Sequence, residues 1–315
     1  MKVSVVLATF GREELLCGTL ADLLRLDWPD LEIIVVDQTP THLPSTDAYL
    51  GGLAGRVVYL RQQRASVVAA ANEGTNAARG DIVLFVDDDI SIPGRDLVAA
   101  HFRNYDDPEV GGVAGRVLDA RDPRPGRFDP RSADPVWGFF HTGWDHDTPC
   151  EVWTASGANM SFRREVIVGL GGFDEHFGGN AFRWENDFCV RVRRAGWRVV
   201  YDPRPTVHHY YASPGGNENK HLLGREPGSH PWYRHFFHNH VYFALKHQPR
   251  ASVASMLWRL YRGHVMNRPY AREGLAFLAA RHRALVRGAL DGWRSYRGWR
   301  RDPGATTGGD AWTRP

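Results

Sequence analysis

The chain has 315 residues, of which 43% are hydrophobic and 24% charged, enough apolar material to bury a sizeable core in one large or two modest domains and too much for a disordered chain. The formal net charge of +3 conceals an asymmetry: residues 1–249 carry 26 Lys and Arg against 32 Asp and Glu, a net of −6, and residues 250–315 carry 13 against 4, a net of +9. An acidic body argues against nucleic acid as a partner, and no run reaches the roughly 20 apolar residues that span a bilayer.

Residues 2–8, KVSVVLA, are short and β-branched and predict a strand buried on both faces, followed by a turn at Gly11. Residues 13–26 place Leu15, Leu16, Leu20, Leu23 and Leu24 at helical spacing. LEIIVVD (31–37) predicts a second buried strand that ends on an aspartate, and RVVYL (56–60) a third. The Ala-rich stretch 66–79 is helical up to Gly80, and DIVLFVD (81–87) is a fourth strand. This β-α-β-β-α-β order predicts an α/β layer fold with a mostly parallel sheet flanked by helices. Ligands of such sheets bind beyond the carboxyl ends of the strands, so Thr9, Asp37 and Asp87–Asp89 are expected to converge on one crevice.

Further on, residues 118–135 are rich in Pro, Arg and Asp and predict an exposed loop. Residues 152–167 predict a strand, a turn and a helix start, residues 184–196 a helix ended by Gly196, and residues 197–203 a strand. Residues 211–235 form a long irregular stretch, a candidate flexible lid. Residues 236–301 are helical and basic, and residues 302–315 lack a structural pattern. The expected organisation is one domain over 1–210, divided near residue 117, then the irregular stretch, a helical extension and a tail.

LFVDDDISIP (84–93) is the sharpest chemical signal. Adjacent carboxylates repel one another unless a cation sits among them. Hard divalent ions such as Mg²⁺ or Mn²⁺ prefer oxygen ligands and share them with phosphates. In FRWENDFCVRVRRAGW, Glu185 lies near a helix N-terminus, where a carboxylate is stabilised, and could act as a general base. Asp187 competes for that role from nearly the opposite side of the helix, and periodicity does not choose between them. In TVHHY (206–210), His208 and His209 point to opposite faces of a strand, so one of them could reach the crevice. HFFHNH (235–240) has no cysteine pair or HExxH beside it and is better explained by packing than by zinc. No GxGxxG or GxxxxGK[ST] occurs, which disfavours a dehydrogenase or a P-loop ATPase.

Taken together, VSVVLATFGREELL, LEIIVVDQT, AAANEGTNAARGDIVLFVDDD, SGANMSFRRE, GGFDEHF and WENDFCVRVRRAGWRVVYDP resemble, in this order over roughly residues 2–210, a family 2 glycosyltransferase of the GT-A fold. The resemblance implies a Rossmann-like, mostly parallel sheet with helices on it, here with a C-terminal helical extension, and a catalytic domain over 1–210 with a nucleotide-sugar-binding half (1–117) and an acceptor-side half (118–210). It implies an inverting hexosyltransferase-type reaction from a nucleotide-sugar. It implies donor contacts at Thr9, Phe10, Arg12, Asp37, Asn72, Asp87 and Asp88. Asp89 and His209, with His208 as the alternative, would hold Mn²⁺ or Mg²⁺. Glu185 matches the position of the catalytic base, with Asp187 beside it. Two departures stand out: the usual Glu-Asp pair reads Trp184–Glu185, and Ala71 precedes Asn72 where the family often has Arg. There is no QxxRW motif with membrane helices, as a processive synthase would carry.

The resemblance points to a UDP- or dTDP-sugar donor and to a glycan, lipid-linked or small-molecule acceptor. A non-catalytic sugar-nucleotide or glycan-binding protein on the same fold is the alternative. Three scattered cysteines and a strand pattern at the N-terminus fit a cytoplasmic protein. The basic helices either pack on the acidic body, mediate self-association, or touch the inner membrane face peripherally.

Overall fold

A computed structural model of the chain describes residues 2–128, 143–212 and 229–302. Residues 129–135 of the expected loop, 213–228 of the expected lid and the tail from 303 lie outside them. The chain divides into two units, one of Met1–Phe173 with Phe188–Gly216 and the other of Asp174–Asp187 with Asn217–Pro315. The expected acceptor-side half thus gives one short segment to the second unit.

The first unit is built on a sheet. Strands β1 (Val3–Thr9), β2 (Leu31–Asp37), β3 (Val58–Arg61) and β4 (Ile82–Val86) pair in parallel in the order β3-β2-β1-β4. Helices α1 (Glu14–Leu24), α2 (Pro44–Gly52) and α3 (Val67–Ala77) connect them. Leu16, Leu20 and Leu23 of α1 bury against Val5, Leu7, Ile33, Val35 and Leu84, side chains that each contribute about 1.5–3 kcal/mol when fully buried. The periodic segments are helices as expected, but α2 replaces the direct β2–β3 link. Its one buried residue is Thr46, so it has no apolar stripe to read, and Pro44 in its first turn was the available signal.

Beyond β4 the sheet becomes mixed. It continues through β8 (Asn159–Arg163), β6 (Val110–Asp119) and β9 (Arg198–His209) to β5 (Ile90–Ser91), with β7 (Cys150–Glu151) also on β9. β4–β8, β6–β8, β5–β9 and β7–β9 are antiparallel, and β6–β9 is parallel. Helices α4 (Leu97–Phe102), α5 (Arg164–Gly169) and α6 (Trp184–Arg194) accompany these strands, and the first turn of α6 counts with the second unit.

The segment read as a strand over 197–203 continues to His209, because its two prolines are absorbed in a bulge. The β6–β9 register shifts between Gly115 and Arg116, opposite Asp202 and Thr206. The Asn159 amide fills that bulge, donating to the carbonyls of Arg116 (3.0 Å) and Pro205 (2.9 Å). A Cβ on Gly115 would lie 2.2 Å from Asn159 Nδ2, so only glycine admits this side chain. The Asn159 oxygen in turn lies 2.7 Å from Nε2 of the buried His101, whose Nδ1 is 2.9 Å from the Ser161 hydroxyl.

The second unit is helical: α7 (Ser229–His247), α8 (Arg250–His264), α9 (Arg268–Ala271) and α10 (Leu275–Arg301). Helix begins at Ser229, inside the stretch expected to be irregular up to 235. The aromatic ladder Tyr233, Phe236 and Phe237 on the first turns is buried, and that burial outweighs the turn signal of nearby Pro227 and Gly228. α10 approaches α7 backbone to backbone through Gly288 and Gly292, where an added Cβ would meet Arg234 O at 2.4 Å and His238 O at 2.7 Å.

Burial pushes the pKa of His101, His238 and His264 down to about 4, and that of His240 well below its ordinary value. All four are therefore neutral when folded and protonate in the unfolded chain near 6.5. Between about pH 6.5 and pH 4 the unfolded chain binds more protons, so acidification removes stability, by up to about 1.4 kcal/mol per histidine and pH unit. Melting temperature is expected to fall steadily from pH 6.5 to 5. A level profile across that interval would contradict neutral burial.

Candidate active site

The parallel part of the sheet sets the first half of the site. β1 and β2 run in register so that Thr9 stands opposite Asp37, and β4 ends one residue before Asp87. The antiparallel β5–β9 pairing sets the second half, placing His209 opposite Ile90 and so beside the aspartates. The buried Thr19 hydroxyl of α1, for which the sequence carries no distinctive signal, lies 3.1 and 2.8 Å from the carbonyl oxygens of Asp88 and Ile90. It holds the backbone of the triplet.

The three aspartates differ. Asp87 is half-buried, and its Oδ2 lies 3.0 Å from His209 Nε2. Asp89 is buried, with Oδ1 3.2 Å from the same nitrogen and Oδ2 accepting the Ala212 N–H at 2.8 Å. Asp88 accepts the Thr9 hydroxyl at 2.7 Å. Its carboxyl is pushed up to about 7, chiefly by burial and then by the charges of Asp89 and Asp87, with Thr9 and Arg12 opposing. Arg12 reaches both, at 3.5 Å from Asp88 and 3.4 Å from Asp89.

Asp87, Asp89 and His209 each offer an atom, all within 4.8 Å of one another, a grouping that could hold a cation. Two carboxylates and an imidazole suit Mn²⁺ or Mg²⁺ with further oxygen ligands from a substrate. The Tyr211 N–H donates to His209 Nδ1 at 2.9 Å, so Nε2 carries the imidazole proton and points it at the two carboxylates. A cation bound there takes the place of that proton. His208, the alternative, is opposite Ser91 and outside this group. Asp87, expected as a donor contact, stands with the candidate metal ligands.

Asp37 is fully buried. Its Oδ1 accepts the Thr39 N–H at 2.7 Å. Its Oδ2 accepts from His42 at 2.8 Å, from Arg61 at 2.7 Å and from the Tyr59 hydroxyl. Burial opposes ionisation, but these donors, with Tyr59 first, hold its pKa below the usual carboxylate range. Burial and the Asp37 charge push Tyr59 up to about 12, and Asp37 with Glu13 raises His42 against the effect of burial. His42, Tyr59 and Arg61 were not singled out in the sequence, since their meeting depends on strand register and on α2.

Two expected donor residues sit differently. Phe10 is half-buried in the turn after β1. Asn72 is clamped on the Phe173 backbone, donating to its carbonyl at 2.9 Å and accepting its N–H at 2.8 Å. It therefore holds the backbone at Phe173 in place.

Glu185 and Asp187 belong to the second unit. Asp187 has no exposed surface; Lys246 Nζ lies 2.7 Å and His247 Nε2 2.6 Å from its Oδ1. Asp174 shares the same ammonium at 2.6 Å and accepts the Tyr242 hydroxyl at 2.6 Å. Glu185 is half-buried in the first turn of α6. Arg183 precedes it with a φ of 84°, in the left-handed region that a non-glycine residue occupies only at a cost of about 1–3 kcal/mol. Burial lowers the Arg183 pKa to about 9, and the Glu185 charge works against that fall. His235 and His238 do not form a metal group among the described residues; His238 packs within α7–α10 and reaches Ser295 at 2.9 Å.

The sequence profile of Glycosyl transferase family 2 matches residues 4–171. The chain belongs to that family. This glycosyltransferase is similar to the glucosyl-dolichyl phosphate glucuronosyltransferase of Haloferax volcanii, 28% identical over 220 residues that make up 66% of this chain and 69% of the relative. It is 33% identical over 231 residues to the uncharacterized glycosyltransferase YwdF of Bacillus subtilis, covering 70% of this chain and 79% of the relative. Among solved structures, S. aureus TarS 1-349 in complex with UDP-GlcNAc matches with a TM-score of 0.61 at 15% identity, over 96% of this chain and 92% of that one. The mannosyltransferase PcManGT of Pyrobaculum calidifontis, in complex with GDP-Man and Mn²⁺, matches with a TM-score of 0.54 at 19% identity, over 96% and 77%. These two likenesses establish the GT-A fold expected from the sequence. Among the described residues no helix is long and apolar enough to cross a membrane.

Proposed function

We propose that this glycosyltransferase moves a hexosyl group from a nucleotide-diphosphate donor to an acceptor hydroxyl in one displacement, with inversion at the anomeric carbon. The convergence of Asp87, Asp89 and His209 at the carboxyl ends of the strands carries the reading. These three would hold Mn²⁺ or Mg²⁺, which, when bound, supplies Lewis-acid neutralisation of the charge developing on the leaving diphosphate. Arg12, now on Asp88 and Asp89, is a cation in reach to follow that charge onto a phosphate. It would compensate for Ala71 standing where the family often has arginine. Asp37, enclosed by His42, Tyr59 and Arg61, would organise the nucleoside contact through those donors.

Glu185 is proposed as the general base that takes the acceptor hydroxyl proton. Asp187 has its carboxylate closed off by Lys246 and His247, whereas Glu185 keeps part of its surface open. The donor is proposed to be a UDP- or dTDP-sugar. Among glycan, lipid-linked and small-molecule acceptors, the Haloferax relative, named for glucosyl-dolichyl phosphate, favours a lipid-linked one.

Thermal unfolding with UDP, dTDP, GDP or CDP, with and without Mn²⁺, tests the donor site on the wild type and on Asp89→Ala. One nucleotide is expected to stabilise the wild type only with the metal, by about 2.7 kcal/mol at a hundredfold excess over Kd, and to leave Asp89→Ala unmoved. No stabilisation by any nucleotide would defeat the assignment and bring a non-catalytic glycan-binding role forward.

A further inference from the structure

α10 carries more charge and more exposed apolar surface than the packing of its own unit explains. Its residues Leu275–Arg301 include seven arginines and one acid, Asp291. Gly288 and Gly292 fix which side faces α7, since a Cβ at either would collide with the α7 backbone. At ~100° per residue the opposite side presents Val286, Leu290 and Trp293 on successive turns. They are 57%, 50% and 46% exposed. Arg283, Arg287, Arg294 and Arg297 are exposed on the same side of the helix. The result is an apolar stripe edged by guanidinium groups, with tryptophan, the side chain best suited to an interface between apolar and wet layers.

Beside the stripe lies a cleft of about 310 Å³ lined by Arg234, Arg287, Leu290, Asp291 and Arg294. Asp291 pairs with Arg234 at 2.8 Å and with Arg294 at 3.2 Å, so one carboxylate stands among three guanidinium groups and the cleft keeps an excess of positive charge. Such a cleft fits a phosphate next to an apolar layer.

We infer that this face of α10 rests on an anionic lipid bilayer, with Val286, Leu290 and Trp293 entering the headgroup layer and the arginines meeting lipid phosphates. Charge complementarity selects this occupant. A second copy of the same face would bring two arginine-rich surfaces together, which like-charge repulsion opposes. An acidic soluble partner would leave the three apolar side chains without an apolar layer. The inference stands apart from the reaction proposed above, because it concerns vesicle binding and not turnover.

The test uses the purified full chain with vesicles of phosphatidylcholine alone or mixed with phosphatidylglycerol, read by co-sedimentation and by tryptophan fluorescence. Binding is expected with the anionic vesicles and not with the neutral ones, and it should weaken as salt is raised. Leu290→Ser with Trp293→Ser, and separately Arg287→Gln with Arg294→Gln, should each reduce it at least tenfold, at roughly fivefold per arginine removed. These side chains are exposed, so melting temperature and nucleotide-induced stabilisation should stay at wild-type values. Equal binding to both vesicle types would overturn the inference, as would wild-type binding by both variants. So would a wild type that ignores vesicles and forms a dimer that Leu290→Ser with Trp293→Ser dissociates, since the face would then belong to a second copy.

Discussion

Glu185→Gln is expected to lower sugar transfer by roughly 10²–10⁴-fold while leaving metal-dependent nucleotide binding intact. The substitution keeps the size and polarity of the side chain and removes its basicity. If the carboxylate takes the acceptor proton as the new bond forms, its loss falls on the transition state, so kcat should drop with little change in the KM for donor. Arg183 complicates the result in a defined way. Its buried guanidinium is held charged partly by Glu185, so a modest fall in melting temperature should accompany the loss of rate. Nucleotide-induced stabilisation separates the two effects, because it tests the proposed cation ligands Asp87, Asp89 and His209, which belong to the other unit. Transfer at the wild-type rate in Glu185→Gln would place the base elsewhere.

Much of the first unit could be read in the sequence because its signals are local. β1, β2 and β4 are mostly apolar runs, interrupted only by Ser4 and Glu32, and each stops where a polar residue reaches the carboxyl end of the sheet. The aspartate triplet and the two alternating histidines follow the same logic, although only the pairing of β9 with β5 places His209, and not His208, beside Asp87 and Asp89. What could not be read depends on register or on contacts between distant segments. α2 has no apolar stripe. The His42–Tyr59–Arg61 enclosure of Asp37 needs β3 paired in register on β2, with Arg61 opposite Asp37. Asn72 reads as a donor-facing polar residue on a helix, and only the fold shows its amide bonded to Phe173, 101 residues away. Periodicity left Glu185 and Asp187 equal; burial distinguishes them, through a lysine and a histidine that lie 59 and 60 residues further along the chain.

That same buried cluster gives the largest stability effect expected of a single substitution. Lys246 places one ammonium 2.6 Å from Asp174 and 2.7 Å from Asp187, with all three side chains at most 4% exposed. Burial disfavours ionised Asp174, yet its pKa stays below the usual range because His176 and the Lys246 charge hold it there. Lys246→Met keeps most of the volume and removes the charge, leaving two carboxylates close together without the cation they share. Breaking a buried ion pair from one side costs about 3–5 kcal/mol, so urea unfolding of Lys246→Met should show a loss of that order. Adding Asp174→Asn should recover part of it, since one of the two uncompensated charges is then gone; no recovery would show that the carboxylates do not repel as the geometry requires. The substitution also bears on chemistry. Asp187 lies two residues after Glu185 in the first turn of α6, so its bonds to Lys246 and His247 fix the backbone that carries the proposed base. Transfer by Lys246→Met should therefore fall even at temperatures where the protein remains folded, while nucleotide-induced stabilisation, proposed to depend on Asp87, Asp89 and His209, should persist.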